Sequence, residues 1–424
     1  MTKKASTPAL RFKGFTYTWE QRKLGEALIS LQNNTLSRAD LSSEEGIAKN
    51  IHYGDILVKF GEVIDVKTKS LPMISDETVI AKYKSSFLQN GDIIVADTAE
   101  DETVGKCTEI AGLSDEIVIS GLHTIPYRPL QKYAPGYLGY YMNSASFHNQ
   151  LLPLMQGIKV TSISKTALQN TDILYPESVT EQAAIGTYFR NLDNLITLHQ
   201  HKYDKLTNMK KSMLEKMFPK NGANVPEIRF KGFTDAWEQR KLSEITDKVT
   251  EKNAGLQYVE TFTNSAEFGI ISQRDFFDHD IAKLGSLDGY YIVKNEDFVY
   301  NPRISTSAPV GPINRNKLGR TGVMSPLYTV FRPHDIDTTY LEYFFKCGCW
   351  HSFMNFNGDS GARSDRFSIR DNVFFQMPIP IPDIDEQRKI GELLTCLNNL
   401  ITLHQRELEK LKNFKKACLE KMFV

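Results

Sequence analysis

Two segments of this 424-residue chain occur twice. The stretch from Pro226 to Leu242 closely copies the stretch from Pro8 to Leu24, at an offset of 218 residues. The stretch from Glu386 to Phe423 matches that from Glu181 to Phe218 at 22 of 38 positions, including the unbroken run Asn-Leu-Ile-Thr-Leu-His-Gln. Between the copies lie two long regions that do not align with each other, Gly25 to Val179 and Ser243 to Ile384. Repeated ends around unlike middles predict one scaffold that presents two different surfaces.

Bulk composition bounds the class of protein. With 41 % hydrophobic and 24 % charged residues, the chain is expected to form two or three soluble globular domains. No apolar run approaches the ~18–20 residues of a membrane span, and the polar start Met1-Thr-Lys-Lys lacks the apolar core of a signal peptide. The five cysteines show no repeated spacing, which predicts a reduced, cytoplasmic location. The formal net charge is zero, so nucleic-acid binding has to be judged from the local distribution of charge.

Each copy of the longer repeat predicts a long helix. Apolar or seam-type residues recur at alternating steps of four and three, the pattern of a coiled-coil seam rather than of a strand. The predicted seam comprises Ile185, Leu192, Ile196 and His199 in the first copy, and Ile390, Leu397, Ile401 and His404 in the second. About 36 helical residues span ~54 Å, so two such helices can pair as an antiparallel coiled coil and hold the two middle regions a fixed distance apart. The alternative is that each helix packs on its own neighbouring domain.

His199 and His404 occupy matching seam positions. A polar residue in a seam commonly fixes the register of the helices at some cost in stability. We favour this interpretation over the alternative of a titratable switch.

The sequence also marks where both helices begin. Ser178-Val-Thr-Glu181 and Asp383-Ile-Asp-Glu386 each place a side-chain oxygen and a glutamate three residues apart, which predicts a capping box at each start. Prolines disfavour helix just before both starts, and Pro219 ends the first helix. These signals divide the chain into a first domain (1–178), a first helix (179–218), a second domain (219–382) and a second helix (383–424).

The two middle regions predict mixed domains with more strand than helix. Short β-rich runs are bounded by Gly, Asn and Asp, and Tyr137-Leu-Gly-Tyr-Tyr-Met and Tyr340-Leu-Glu-Tyr-Phe-Phe are typical of short helices at comparable places. Each region has a length of about 150 residues, within the usual range of a domain. The predicted fold class is therefore α+β, with two mixed α/β domains joined by two long antiparallel helices in a pseudo-two-fold arrangement.

Acidic residues are missing from one window in each middle region, from Ile117 to Thr171 and from Phe298 to His334. A neutral protein with such windows can still present two positive surfaces to phosphate. We therefore predict DNA contacts from Arg128, Lys159 and Lys165 in the first window, and from Arg303, Arg315, Lys317 and Arg320 in the second. Surface charges scattered without a binding role are the alternative.

Two loops extend this prediction. Gly157–Lys165 precedes the first helix, and Gly358–Arg370 precedes the second. Their small residues, hydroxyls and basic side chains suit contacts with the DNA backbone. Arg363 or Arg366 could instead read a guanine edge, worth ~1–3 kcal/mol of discrimination. The alternative is an ordinary surface loop whose charges pair locally, since Asp365 adjoins Arg366.

Motifs of catalysis are missing from the sequence. It has no G-x-x-x-x-G-K-[ST] phosphate loop, no Gly-rich strand–turn–helix for a methyl-donor cofactor, and only part of an amino-methyltransferase motif at Tyr300-Asn-Pro-Arg303. Cys347-Gly-Cys349-Trp-His351 offers three ligand-type residues, but no second cluster supplies a fourth ligand. Buried structural thiols are therefore favoured over a zinc site. We predict no catalytic residue and no metal in this chain.

The order of domain, helix, domain and helix resembles the specificity subunit of type I restriction–modification systems. The resemblance rests on Pro-x-hydrophobic-Arg-Phe-Lys-Gly-Phe…Trp-Glu-Gln-Arg-Lys-Leu at the start of each half, and on Glu-Gln-x-x-Ile-Gly at Glu181–Gly186 and Glu386–Gly391. It covers essentially the whole chain.

The resemblance implies a non-catalytic DNA specificity subunit. Its two target-recognition domains would each read one half of a bipartite, asymmetric site on double-stranded DNA. The paired helices would set the spacing and dock two methyltransferase subunits, through which restriction (motor-nuclease) subunits join. S-adenosylmethionine, ATP and magnesium are expected only in those partners. Two alternatives remain at this point: a protein-interaction scaffold with two different binding domains, and an enzyme with an unrecognised site.

Overall fold

The computed structural model describes residues 7–220, 222–277, 284–359 and 365–424. The chain divides into two compact units. The N-terminal unit comprises Met1–Gln200 together with Arg406–Val424, and the C-terminal unit comprises His201–Gln405. Among the helices that the structure describes, none is both long and apolar enough to cross a membrane.

The N-terminal unit has a mixed β-sheet core. Its strands are β1 (Glu20–Lys23), β2 (Leu28–Ser30), β3 (Ala48–Ile51), β4 (Val63–Asp65), β5 (Met73–Ile74), β6 (Ile93–Ala96), β7 (Thr98–Ala99), β8 (Cys107–Ala111), β9 (Ile117–Ser120), β10 (Thr124–Pro129), β11 (Thr161–Ser162) and β12 (Asp172–Tyr175). Its helices are α1 (Leu24–Ala27), α2 (Tyr53–Val58), α3 (Glu77–Lys82), α4 (Tyr137–Met142), α5 (Ala145–His148), α6 (Lys165–Gln169) and the start of α7 (Val179–Lys216). The main sheet has the order β2-β10-β6-β8-β4, and a smaller sheet has the order β5-β3-β9.

The C-terminal unit is built in the same manner. Its strands are β13 (Glu238–Lys241), β14 (Thr246–Lys248), β15 (Phe262–Ser265), β16 (Gly269–Ser272), β17 (Tyr291–Val293), β18 (Phe298–Tyr300), β19 (Ile313–Arg315), β20 (Gly322–Met324), β21 (Thr329–Pro333) and β22 (Pro378–Ile381). Its helices are α8 (Gln273–Phe277), α9 (Thr338–Cys347), α10 (His351–Asn357), α11 (Asp371–Phe374) and the start of α12 (Ile384–Lys421).

The two middle regions share a sheet although their sequences do not align. The order β14-β21-β18-β19 in the C-terminal unit corresponds to β2-β10-β6-β8 in the N-terminal unit. In both, an aspartate just before the central strand forms a two-pronged ion pair with an arginine on the neighbouring strand. Asp92 lies 2.7 Å from Arg128, and Asp297 lies 2.7 Å from Arg332. The prediction of two mixed α/β domains is therefore confirmed, and the domains prove to be variants of one frame.

The repeated segments explain how each unit is closed. Arg11 of the shorter repeat holds Glu181 of the longer one through Nε and a terminal nitrogen, at 2.6 and 2.8 Å. Arg229 holds Glu386 in the same way, at 2.7 and 2.8 Å. Both carboxylates are buried, so each pair is shielded from water and ties the start of a unit to the start of its long helix.

The predicted capping boxes are only half right. The Ser178 hydroxyl accepts a hydrogen bond from the backbone N–H of Glu181 at 3.3 Å, and Asp383 accepts one from the N–H of Asp385 at 2.8 Å. The carboxylates of Glu181 and Glu386, however, accept from arginines rather than from the backbone of the cap. A charged guanidinium is a stronger partner for a buried carboxylate than one amide, which is why the tertiary contact displaces the local one.

The end of each long helix also docks on a repeated segment. In the N-terminal unit, Phe423 lies 6.4 Å from Trp19 and 6.0 Å from Tyr137 between ring centroids. In the C-terminal unit, Phe218 lies 5.5 Å from Tyr340, and both belong to one buried cluster with Trp237. Each unit thus contains the start of one long helix and the end of the other.

Within the N-terminal unit the two helices run antiparallel, as predicted. Tyr188 of α7 lies 3.5 Å from the Cys418 sulfur of α12, and Asp193 lies 2.6 Å from Lys415, so positions rise along α7 as they fall along α12. In the C-terminal unit, Lys210 of α7 donates to Asn398 of α12 at 2.7 Å.

The predicted seam residues serve two kinds of packing. Ile185 and Leu192 pack in one buried cluster with α12 and with the sheet domain. Ile390 and Leu397 pack with α7 and the other sheet domain in the same way. Pairing of the helices and packing on a domain, which the sequence left as alternatives, therefore occur together. Half-buried positions continue along the helices at Ile196, His199, Ile401 and His404.

Candidate nucleic-acid interface

Two short chain segments pair through backbone hydrogen bonds at the same place in both units. Hairpin 1 (Gln156–Ser162) is closed by two backbone hydrogen bonds between its end residues, at 2.9 and 2.8 Å. In the C-terminal unit, Asp359 and Ser368 are joined in the same way, at 3.1 and 2.6 Å, and hairpin 2 denotes the described residues of this pairing, 359 and 365–368. Each is followed by a short helix, the last strand of its unit and then a long helix. The two loops predicted from the sequence therefore occupy equivalent positions on the shared frame, and they differ in length and chemistry.

Hairpin 2 brings two arginines face to face. Arg366 forms an isolated antiparallel bridge with Arg303. The flanking bonds, Ile304 N–H to Asp365 O at 3.0 Å and Phe367 N–H to Pro302 O at 2.7 Å, make this the non-hydrogen-bonded type of pair, in which opposed side chains lie closest. Successive residues of a strand point to opposite faces, so Asp365 does not lie between the two guanidinium groups.

This arrangement is suited to an anion. Like charges directly opposite each other are destabilising, and neither Arg303 nor Arg366 has an ion pair with any residue in the described parts of the chain. Arg303 is exposed and Arg366 is half-buried. A phosphate between them would relieve the repulsion and receive charge-assisted hydrogen bonds.

Clefts adjoin both hairpins. In the C-terminal unit, a cleft of about 480 Å³ is lined by Arg366 together with Tyr291, Leu327 and Tyr328. In the N-terminal unit, a cleft of about 550 Å³ is lined by Lys165, Gln32, Asn33 and Lys82. Aromatic rings, amides and cations are the groups that contact bases and phosphates. The sequence prediction found only Arg366 and Lys165 among these, because the others lie far away along the chain.

The structure divides the other predicted contact residues by their partners. Lys159 and Lys165 are exposed, and neither has an ion pair within the described ranges. Arg363 lies outside the described residues. Four are held by carboxylates: Arg128 by Asp92 at 2.7 Å, Arg315 by Glu342 at 2.7 Å, Lys317 by Glu342 at 3.3 Å, and Arg320 by Glu260 at 2.7 Å. Arg315 is only 7 % exposed, so for it and for Arg128 the contacts favour a structural role.

The cysteine cluster behaves as a packing element. Cys347 packs against the aromatic core of the C-terminal unit, and its sulfur accepts a hydrogen bond from the Cys349 N–H at 3.2 Å. Burial raises the pKa of the Cys347 thiol well above its ordinary value and lowers the pKa of His351. Across the residues that the structure describes, no group of three or more His, Cys, Asp or Glu side chains is placed to hold a metal ion.

Substituting the opposed arginines should weaken DNA binding through its salt dependence. Arg303→Gln and Arg366→Gln are each expected to reduce the steepness of the salt dependence, because each removes about one phosphate contact. The magnitude of the negative slope of log association constant against log salt concentration should fall by about 1 in each variant. Anisotropy of a labelled mixed-sequence duplex, titrated with the full chain between roughly 50 and 200 mM salt, measures the slope. Arg320→Gln is the matched control, since Arg320 is exposed but paired with Glu260. Unchanged slopes in both test variants would rule out a phosphate contact at this pair.

Exposed leucines are a feature that sequence analysis missed. Leu195 and Leu198 are 44 % and 47 % exposed on α7, and Leu400 and Leu403 are 37 % and 51 % exposed on α12. The four occupy matching positions of the identical run Asn-Leu-Ile-Thr-Leu-His-Gln. They lie off the predicted seam. Apolar residues kept identical at non-seam positions of both helices are the sequence signal that could have revealed this surface.

Comparisons with known proteins agree with this architecture. Residues 234–413 match the model of the type I restriction modification DNA specificity domain. Over 386 residues the chain is 24 % identical to the putative type I restriction enzyme MjaX specificity subunit of Methanocaldococcus jannaschii. The aligned region covers 86 % of this chain and 82 % of that protein. Over 278 residues it is 24 % identical to the type I restriction enzyme MjaVIII specificity subunit of the same organism, covering 62 % of this chain and 64 % of that protein. The crystal structure of a type I restriction–modification S subunit from M. genitalium has the same fold, with a TM-score of 0.54, 13 % identity and 99 % coverage of both chains.

Each unit contains a sheet domain with the same strand order, and the two long helices run antiparallel. Together with the matched DNA specificity domain, these features define a DNA-recognition protein. The chain is similar to type I restriction–modification specificity subunits over most of its length, and residues 234–413 match their DNA specificity domain.

Proposed function

We propose that this chain reads a bipartite, asymmetric sequence on double-stranded DNA, with each unit reading one half. The observation that carries the proposal is the pair of hairpins, which occupy equivalent positions on one frame but differ in what they present. Hairpin 1 encloses a short apolar and lysine-bearing turn, whereas the described part of hairpin 2 presents Arg366 opposite Arg303. Unlike reading surfaces on a common frame give unlike half-sites, so the target is not palindromic.

The chain itself carries out no reaction in this proposal. Two methyltransferase subunits dock on it, restriction subunits join through them, and these partners bring S-adenosylmethionine, ATP and magnesium. The exposed leucines support two docking sites of one kind, because a surface kept identical on α7 and α12 serves a partner that is present twice. Leucines three positions apart form one face of a helix and suit an apolar contact.

Lengthening the two helices tests whether they set the spacing between the half-sites. Four residues inserted into α7 and four at the equivalent place in α12 add ~6 Å, close to two base-pair rises of ~3.4 Å. We expect the methylated target to keep both half-sites while its unread spacer grows by about two base pairs. Mapping methylated adenines in cells that express the altered chain with its partner subunits measures both quantities.

The same map separates the competing functions. Changed half-site bases with an unchanged spacer would contradict the role of the helices. Methylation that does not depend on this chain would instead favour a protein-interaction scaffold.

Charge placed on one leucine face should remove one methyltransferase subunit. Leu198→Asp and Leu403→Asp are each expected to leave a complex with one copy, and the double variant should bind none, because a buried carboxylate without a partner is costly. Native mass spectrometry counts the copies. Val58→Asp is the control, since Val58 is 82 % exposed on α2 and belongs to neither long helix. Two copies retained in both single variants would show that docking lies elsewhere.

A further inference from the structure

Hairpin 1 holds an isoleucine out in solvent. Ile158 is fully exposed and Val160 is 55 % exposed. Gly157 has φ +116°, and a Cβ added there would lie 2.0 Å from the Val160 carbonyl oxygen. Only glycine permits this turn, so the outward direction of Ile158 is built into the backbone.

The base of the hairpin is anchored. β11 pairs with β7 in the register Thr161–Ala99 and Ser162–Thr98, and the N–H of Ile163 donates to the Asp97 carbonyl at 2.9 Å. Ile163 is 3 % exposed. A short hairpin with a buried base holds the side chains of its turn in a more defined position than a loose loop does. Contact with one particular base requires such a defined position.

The lysines of the hairpin segment favour a polyanion over an apolar protein surface. Lys159 adjoins Ile158, and Lys165 follows the hairpin at the rim of the cleft that contains Lys82 and Gln32. The sequence from Ile117 to Thr171 contains no aspartate or glutamate. Acidic residues lie at the base of the hairpin: Asp97 lines the cleft and accepts a hydrogen bond from Thr98 at 2.7 Å, and the exposed residues Glu100–Glu102 follow the paired strand β7.

We propose that Ile158 reads the 5-methyl group of a thymine in the half-site of the N-terminal unit. The thymine methyl is the apolar group among the base edges of the major groove, and an apolar side chain distinguishes it by contact. The inference rests on the proposed DNA-reading function and adds a residue and a base to it. Burying one methyl contributes about 1 kcal/mol, which corresponds to roughly 4- to 10-fold in affinity.

Removing the methyl group from the DNA tests the contact directly. The target is first read from adenine methylation in cells with the wild-type chain. Duplexes are then made in which each thymine of that half-site in turn is replaced by deoxyuridine, and their affinity for the full complex is measured. We expect the wild type to lose 4- to 10-fold at one position, and Ile158→Ala to bind the thymine and deoxyuridine duplexes equally at that position.

Val58→Ala provides the matched control, because it removes methyl groups from an exposed side chain on α2 and should keep the wild-type discrimination. A wild type indifferent to every replacement, or an Ile158→Ala variant that still discriminates, would overturn the inference while leaving the proposed function intact. A wild-type complex with no sequence-selective methylation would instead defeat the proposed function itself.

Discussion

Replacing Arg229 by methionine is expected to destabilise the C-terminal unit by about 3–5 kcal/mol. The side chain of Glu386 is 0 % exposed, and it is held by Arg229 at 2.7 Å and by the Trp237 indole N–H at 3.1 Å. Without Arg229 a buried carboxylate keeps one neutral donor, which does not compensate for its desolvation. Urea unfolding measures the loss, and hydrogen exchange should locate it in β13, β22 and the start of α12.

Two further variants separate this cause from a general loss of charge. Arg388→Met removes an exposed partner of Asp385 at 3.1 Å and should cost less than about 1 kcal/mol. Arg229→Met combined with Glu386→Leu removes both charges and should recover most of the loss, because an apolar pair leaves no unpaired carboxylate. If the double variant is no more stable than Arg229→Met alone, the buried charge is not the reason.

The stability of the N-terminal unit is expected to fall by about 3 kcal/mol as pH rises from about 4.5 to about 7. Burial raises the pKa of Glu109 from 4.5 to about 7, although the backbone N–H groups of Gly136 and Gly139 donate to its carboxylate. In this window the unfolded chain releases the proton while the folded unit keeps it, so deprotonation favours unfolding. Each pKa unit corresponds to about 1.4 kcal/mol. Urea unfolding at several pH values measures the change.

Glu109→Gln should flatten this pH dependence, because glutamine keeps an oxygen acceptor for one of the two amides and does not titrate. Glu77→Gln, on the exposed first turn of α3, is the control and should retain the wild-type slope. An identical slope in wild type and Glu109→Gln would assign the titration to another group.

The long helices could be predicted from the sequence, and the resemblance to specificity subunits could be recognised there, because both depend on patterns that are local in sequence. Steps of three and four place one set of residues on one helix face whatever surrounds them, and the structure has α7 and α12 in these segments. The capping boxes show where local reasoning ends. Glu181 and Glu386 have the correct spacing for a cap, but an arginine 170 or 157 residues away takes the carboxylate.

The candidate site could be predicted only in outline. The sequence marks the positions of both hairpins, since each contains glycine, hydroxyl and basic residues before a helix start. It does not distinguish Arg315, buried against Glu342, from Arg303, which is exposed opposite Arg366. Ion pairs of this kind join residues that are distant in sequence, so composition alone does not separate structural cations from available ones.

By itself, the sequence determined that one scaffold is used twice, with two long helices and unlike middle regions. Only the tertiary structure decided that those middle regions are one sheet frame with a shared ion pair between a buried aspartate and an arginine, and that each unit is completed by the end of the other long helix. The physical reason is that a buried sheet needs apolar side chains of suitable volume rather than particular residues. Two such sheets can therefore lose all recognisable similarity while keeping their strand order, and the bonds that close each unit form only when distant segments are brought together.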